Sequence, residues 1–257
     1  MTIASEILAS LPAGRLVEAR LGLHWTVVVA EVEGERRCGL ASTLAEARPH
    51  GSEPEIPDPG ELERMSAGDM AAWVESDFPL RRSLGAAAVN ALLPRPPLPW
   101  HSLNGEEVIA RLGAGKSVAV VGHFPFVDRL RERVGRLWVL ERRPGPGDEP
   151  EEAAARLLPQ ADVVALTGAT FVNGTLEALL GFCRPGGRVI LLGPSTPLSP
   201  VLYEHGIDVL SGAIVEATEP VVRAVSQGAG FHQIHALGVR LITIARPGVL
   251  IPVAHEE

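Results

Sequence analysis

The sequence predicts an α/β protein: a doubly wound parallel sheet preceded by a small α+β domain. Three observations carry that expectation. Short aliphatic runs without polar alternation, Val118 to Val121, Val163 to Leu166 and Arg188 to Leu192, suit strands buried on both faces of a parallel sheet. Each ends in glycine, proline or hydroxyl residues: Gly122-His-Phe-Pro125, Thr167-Gly168 and Gly193-Pro-Ser-Thr-Pro197. From Lys116 onward strand and helix patterns alternate as in βαβ units. The chain is divided at Pro94 to Pro99, a stiff segment that holds four prolines in six residues. The expected domains are residues 1–93 and 104–257, joined by a linker at 94–103 and meeting near Pro94 to His101.

In the first domain Ile3, Ile7, Leu8 and Leu11 recur at helical spacing, and Pro12 with Gly14 stops the helix. Val17 to Leu23, His24 to Val32 and Arg36 to Leu40 predict three strands, turning near Gly22 and at Glu33-Gly34. The proline-rich stretch 49–60 predicts a surface loop. Ser66 is a good N-cap with Asp69 in the first turn, and the Ala- and Leu-rich stretch Leu80 to Leu93 predicts a second helix. In the second domain Asn104 caps a helix carrying Glu106 and Glu107 in its first turn. Strands are expected at 117–121, 137–141, 162–167, 188–192, 207–211 and 239–245, all in one parallel sheet of at least five strands. Helices are expected at 126–134, 150–158, 174–183, 198–205 and 218–227, with a surface loop from Pro144 to Pro150.

The chain has 257 residues, 46% hydrophobic and 21% charged, a globular balance with enough length for a real core. A net charge of −8 without a basic stripe argues against a nucleic-acid partner. No apolar run is long enough to span a bilayer, and the N-terminus has no basic leader, so no membrane partner is expected. Cys38 and Cys183 lie far apart in unlike contexts, which points to a reducing, cytoplasmic setting.

In open α/β sheets ligands bind beyond the carboxyl ends of the strands, where the unusual loops fall. Gly122-His-Phe-Pro125 lacks the G-x-G-x-x-G pattern, and its bulky side chains would crowd a pyrophosphate. Glu141 stands 19 residues later, where an acidic group can hold ribose hydroxyls or simply pair with Arg142 or Arg143. His123 at a strand tip suits a metal ligand, a general acid-base group or a structural hydrogen bond. His232 and His235 share one helical face at a spacing compatible with metal binding, but no third ligand is in register and neither H-E-x-x-H nor C-x-x-C occurs. Thr167, Thr170, Asn173 and Thr175 offer hydroxyls and an amide to a carboxylate, a phosphate or a polar ring edge, or only cap a helix. Gly193 to Pro197 fails as a nucleophile elbow, because position 197 is proline.

Taken together, GHFPF at 122–126, VLER at 139–142, TGATFVNGTLEALL at 167–180 and LLGPSTPLSP at 191–200 resemble the family named for putative heavy-metal chelation. Residues 16–93, notably Cys38 to Ala41 and Gly85 to Asn90, resemble its N-terminal partner domain. The resemblance implies a Rossmann-like C-terminal domain, a small domain with the fold of the enolase N-terminal domain, and a ligand cleft between the two. Carried over, it lines the cleft with Cys38, Gly39, Asn90, Gly122, His123, Phe124, Pro125, Glu141, Thr167, Gly168, Asn173, Gly193, Pro194, Ser195 and Thr196. The deepest polar pocket is then expected to include His123, Asn173 and Ser195.

The implied function is binding or handling of a transition metal or a metal-bearing small molecule, with a link to chelation or cobalamin-related chemistry. His123, Glu141 and Cys38 are the candidate ligands, a set that would suit a borderline-soft divalent ion. The alternative is a methyltransferase-like enzyme acting on a nucleotide-like or adenosyl-bearing substrate, with Glu141 on a ribose. The expected partner is the metal or small molecule itself, and a homodimer is compatible with either reading.

Overall fold

A computed structural model describes residues 1–45, 53–96, 100 and 103–249. Parts of the predicted linker (97–99, 101 and 102) and of the predicted loop at 49–60 (49–52) lie outside the described residues.

Helix α1 (Ile3–Ser10) starts at Thr2, whose side chain accepts a hydrogen bond from the Ser5 N–H. It is followed by β1 (Arg15–Leu21), β2 (Trp25–Val32) and β3 (Glu35–Ser42), an antiparallel sheet in the order β1-β2-β3. Glu33 and Gly34 close the second hairpin with φ of 53° and 81°, the pair of left-handed residues that matches the twist of adjoining strands. Helices α2 (Ala67–Ala72) and α3 (Pro79–Leu92) follow, α2 capped by Ser66 as its sequence predicts. One face of this sheet meets α3: Val28, Ala30 and Ala41 are buried with Leu84, Ala87 and Ala88.

The second half comprises α4 (Gly105–Gly113), β4 (Ser117–Val121), α5 (Val127–Arg131), β5 (Arg136–Glu141), β6 (Glu149–Pro150), α6 (Ala154–Leu157) and β7 (Val163–Thr167). It continues with α7 (Ala169–Asn173), α8 (Leu176–Phe182), β8 (Arg188–Leu192), α9 (Val201–Glu204), β9 (Val209–Val215), α10 (Thr218–Ser226), α11 (Phe231–Ala236) and β10 (Val239–Ala245). The strands form one seven-stranded sheet, β10-β9-β8-β7-β4-β5-β6. Chain order reverses between β4 and β7, the place where an open sheet leaves a crevice at its carboxyl edge. Among the described residues no helix is long and apolar enough to cross a membrane.

The α/β class and the mostly parallel sheet are as predicted, and several details differ. β10 runs antiparallel to β9. An aliphatic run carries no information about direction, and Gly238, at φ 118°, turns the chain directly back beside the end of β9, where its carbonyl accepts from the Glu216 N–H at 2.8 Å. The helix expected at 174–183 is α8, and the short helix α7 precedes it, ended by Gly174 at a left-handed φ of 79°. The helix expected at 150–158 shrinks to the four residues of α6 between two 3-10 turns. The loop before it contributes the edge strand β6, and α11 gives the helical face expected for His232 and His235.

The halves are not packed as separate cores. A single hydrophobic cluster runs from Ile7, Val28 and Leu84 to Leu166, Phe171, Leu191 and Leu210. A second joins Val27, Val29 and Leu40 on the other face of the small sheet to Val221, Val222 and Val225 of α10. The small sheet is thereby held beside the carboxyl edge of the large one.

Candidate functional site

A cavity of about 520 Å³ opens at that edge. Its floor is built from the strand exits singled out in the sequence: Phe124 and Pro125 after β4, Thr167 and Gly168 around the end of β7, and Gly193, Pro194 and Ser195 after β8. Gly122 and Gly193 have φ of 103° and 110°, so both chains leave the sheet through conformations that favour glycine. The exits remain tied to the sheet, as the Gly122 N–H donates to the Leu140 carbonyl and the Gly193 N–H to the Ser211 carbonyl. Gly168 lies against the β8 exit so closely that a Cβ there would sit 2.6 Å from the Thr196 nitrogen.

The remaining walls come from distant segments. Trp25 and Ser42 of the small sheet, Glu106 in the first turn of α4, Arg129 of α5, and Phe231, His232 and His235 of α11 line the same space. Phe124 and Phe126 stack with centroids 5.0 Å apart and planes at 12°. Phe231 meets Trp25 at 5.7 Å and the His235 ring at 5.8 Å. Arg129 is held by Glu106 through two hydrogen bonds of 3.1 and 2.7 Å. The result is a largely apolar, aromatic chamber with a few polar groups, the usual make-up of a small-molecule site.

Ser195 is a clamp between the halves. Its Oγ accepts from the Ser42 N–H at 2.9 Å and lies 2.9 Å from Ser42 Oγ. Asn90 Nδ2 donates to the Leu40 carbonyl at 2.9 Å and, more weakly, to the Ser195 carbonyl at 3.4 Å. Asn90 and Thr196 do not line the cavity but, with Cys38, a separate void of about 40 Å³. Gly39 lines neither; it faces the backbone of α3.

The three candidate metal ligands are not brought together. Cys38 is buried in the apolar face beneath α10, and burial, reinforced by the Glu18 and Glu219 carboxylates, pushes its thiol up to about 12. A thiol so hard to ionise is a poor source of the thiolate that metals bind. His123 and Glu141 are neighbours, but the Glu141 carboxylate and the His123 Nδ1 are already engaged. The His123 N–H donates to Glu141 Oε2 at 2.9 Å, and Glu141 Oε1 accepts from the Arg142 N–H at 2.8 Å and the Arg143 N–H at 3.4 Å. His123 Nδ1 is paired with the Asp148 carboxylate at 2.9 Å, and the ring is half-exposed outside the cavity lining. Among the described residues no group of three or more His, Cys, Asp or Glu is arranged to hold a metal ion. Asn173 caps locally, its Oδ1 accepting from the Thr175 N–H and Oγ at 3.0 and 2.8 Å. Of the trio expected in one pocket, only Ser195 lines it.

His123→Ala is therefore expected to cost at most about 1 kcal/mol, the value of one partly exposed hydrogen bond, and to leave ligand affinity unchanged. Paired thermal melts and calorimetric titrations check this. A variant of unchanged stability that no longer binds would restore His123 as a ligand.

A family model described as "Putative heavy-metal chelation", DUF364, matches residues 106–243, more than half of the chain. The chain belongs to the DUF364 family. A second model with the same description, DUF4213, matches residues 4–93. This DUF364 protein is 28% identical to the uncharacterized protein MJ0500 of Methanocaldococcus jannaschii over 204 residues, covering 74% of each chain. Its fold is similar to the crystal structure of a DUF364 protein from Desulfitobacterium hafniense DCB-2, with a TM-score of 0.82 and 30% identity over 95% of this chain and 98% of that one. A DUF364 protein from Pyrococcus horikoshii shares the fold at a TM-score of 0.79 and 23% identity, with the same coverage of both chains.

Proposed function

We propose that this DUF364 protein binds a metal already carried by a small organic chelator, in the cavity at the carboxyl edge of the large sheet. One observation carries the reading: the cavity walls are aromatic and glycine-lined, yet the side chains of the described residues do not form a three-ligand metal set. A bare divalent ion of the borderline class takes three or four protein ligands. A chelated ion brings most of its ligands with it, and its organic shell is what an aromatic chamber of this size recognises. The family descriptions support the metal, and the cavity chemistry supports the organic carrier. A methyltransferase-like activity finds less support, because Glu141 lies outside the cavity lining with its oxygens held by backbone N–H groups.

The test is calorimetric titration with nickel(II) alone, nickel(II) bound to one phenanthroline, metal-free phenanthroline and S-adenosylmethionine. The nickel chelate is expected to bind at least tenfold more tightly than either component, and Phe124→Ala to remove most of that advantage. Equal affinity for bare nickel, or saturable binding of the adenosyl compound alone, would overturn the reading in favour of a bare-ion site or an enzyme.

A further inference from the structure

The geometry points to His232 and His235 as the pair of protein ligands that complete the coordination of the chelated metal. This inference rests on the reading of the cavity given above.

Helix α11 fixes the pair from both sides. Its start is set by a capping interaction in which the Gly230 N–H donates to Gln233 Oε1 at 2.8 Å. Ile234 is fully buried against the cluster beneath α10, which anchors the helix and turns the opposite face outward. That face carries His232 and His235, which line the cavity together with Phe231, itself packed against the same cluster as Ile234. Residues three apart on a helix are neighbours, so the two imidazoles are within reach of one ion.

Neither imidazole is engaged elsewhere. Among the described residues His123 is paired with Asp148 and His205 with Glu6. His232 and His235 have no hydrogen bond or ion pair among the described residues, and the only ring contact is that of His235 with Phe231. Two imidazoles without hydrogen-bond partners among the described residues, beside an aromatic wall, offer nitrogen donors to a borderline divalent ion such as cobalt, nickel, copper or zinc. Two donors are too few to strip such an ion from a strongly held bidentate carrier and sufficient to fill two adjacent open positions on it. The class of ligand implied is therefore a metal chelate with two exchangeable sites on one side and a flat, conjugated carrier that lies between Phe124 and Phe231.

The experiment uses the full chain, the nickel–phenanthroline probe for affinity, and the corresponding copper(II) chelate for electron spin-echo spectroscopy, which detects the remote nitrogen of a coordinated imidazole. Wild type should show modulation from two imidazoles. His232→Gln and His235→Gln should each weaken chelate binding about tenfold and leave one imidazole signal, and the double variant should bind the chelate no better than metal-free phenanthroline. Circular dichroism melts should be unchanged, since both side chains are exposed. Absence of the imidazole signal in a wild-type complex, or wild-type affinity in the double variant, would overturn the pair while leaving the cavity reading intact, provided Phe124→Ala still weakens binding. Failure of wild type to bind either chelate would remove the cavity reading and this inference together.

Discussion

Replacing Gly39 with alanine is expected to destabilise the protein by about 3 kcal/mol or more, a larger penalty than ordinary core overpacking brings. A Cβ on Gly39 would lie 2.0 Å from the Ala87 carbonyl oxygen, 2.3 Å from the Ala91 nitrogen and 2.8 Å from the Asn90 carbonyl carbon. All three are backbone atoms of α3, so no side-chain rotation relieves the clash, and β3 must separate from the helix. Separation would also pull Asn90 away from the Leu40 and Ser195 carbonyls and loosen the clamp beside the cavity. Urea denaturation of Gly39→Ala beside wild type measures the loss. An alanine variant that melts like wild type yet loses ligand affinity would show instead that Gly39 touches ligand, as the family resemblance implies.

Gly168→Ala should act on the cavity itself. Gly168 has φ −58° and ψ −17°, a conformation alanine adopts freely, so any effect must come from contact. The added methyl would meet the Thr196 nitrogen at 2.6 Å, its Oγ1 at 2.7 Å and the Ser195 carbonyl carbon at 3.0 Å. The turn after β8 would be pushed from its seat and Ser195 drawn off Ser42. We expect a loss of about 1–3 kcal/mol in stability and at least a tenfold loss in affinity for the nickel chelate. Wild-type melting and affinity together would show that the β7 and β8 exits move independently and that the cavity floor is not a rigid unit.

What could be read from the sequence was what is written locally. Val118 to Val121 and Val163 to Leu166 form strands because nothing but burial suits them, and the glycines and prolines that follow mark where each strand stops. Since ligand crevices in open sheets form at those stops, Phe124, Pro125, Thr167, Gly168, Gly193, Pro194 and Ser195 were all placed at a cavity their own sequence helps to build. Trp25, Ser42, Glu106, Arg129 and Phe231 reach the same cavity through tertiary packing, and nothing in their local pattern distinguishes them from core or surface positions. The three candidate metal ligands are not brought together, for a related reason. Cys38, His123 and Glu141 have suitable side chains, but residue type does not reveal that Glu141 is consumed by three backbone N–H groups or that Cys38 faces into an apolar layer. The histidine pair was visible as a helical spacing, and its position at the cavity depends on how α11 packs, which no local pattern announces.

The reversed direction of β10 bears on how this protein could change its ligand without changing its fold. Because β9 ends and β10 begins at the same edge of the sheet, the chain from Glu216 to Gly238 leaves and rejoins the sheet at one point. A seventh parallel strand would have required that chain to return to the opposite edge, about 23 Å away for seven residues at 3.3 Å each, and would have carried α11 off the cavity. As built, the excursion divides its labour: α10 holds the small sheet through Val221, Val222 and Val225, and α11 presents its outer face to the chamber. The α11 side chains that line the chamber lie outside every strand ladder. They form an exchangeable cassette, in which substitution can retune what is bound while the sheet and the docking of the two halves stay as they are.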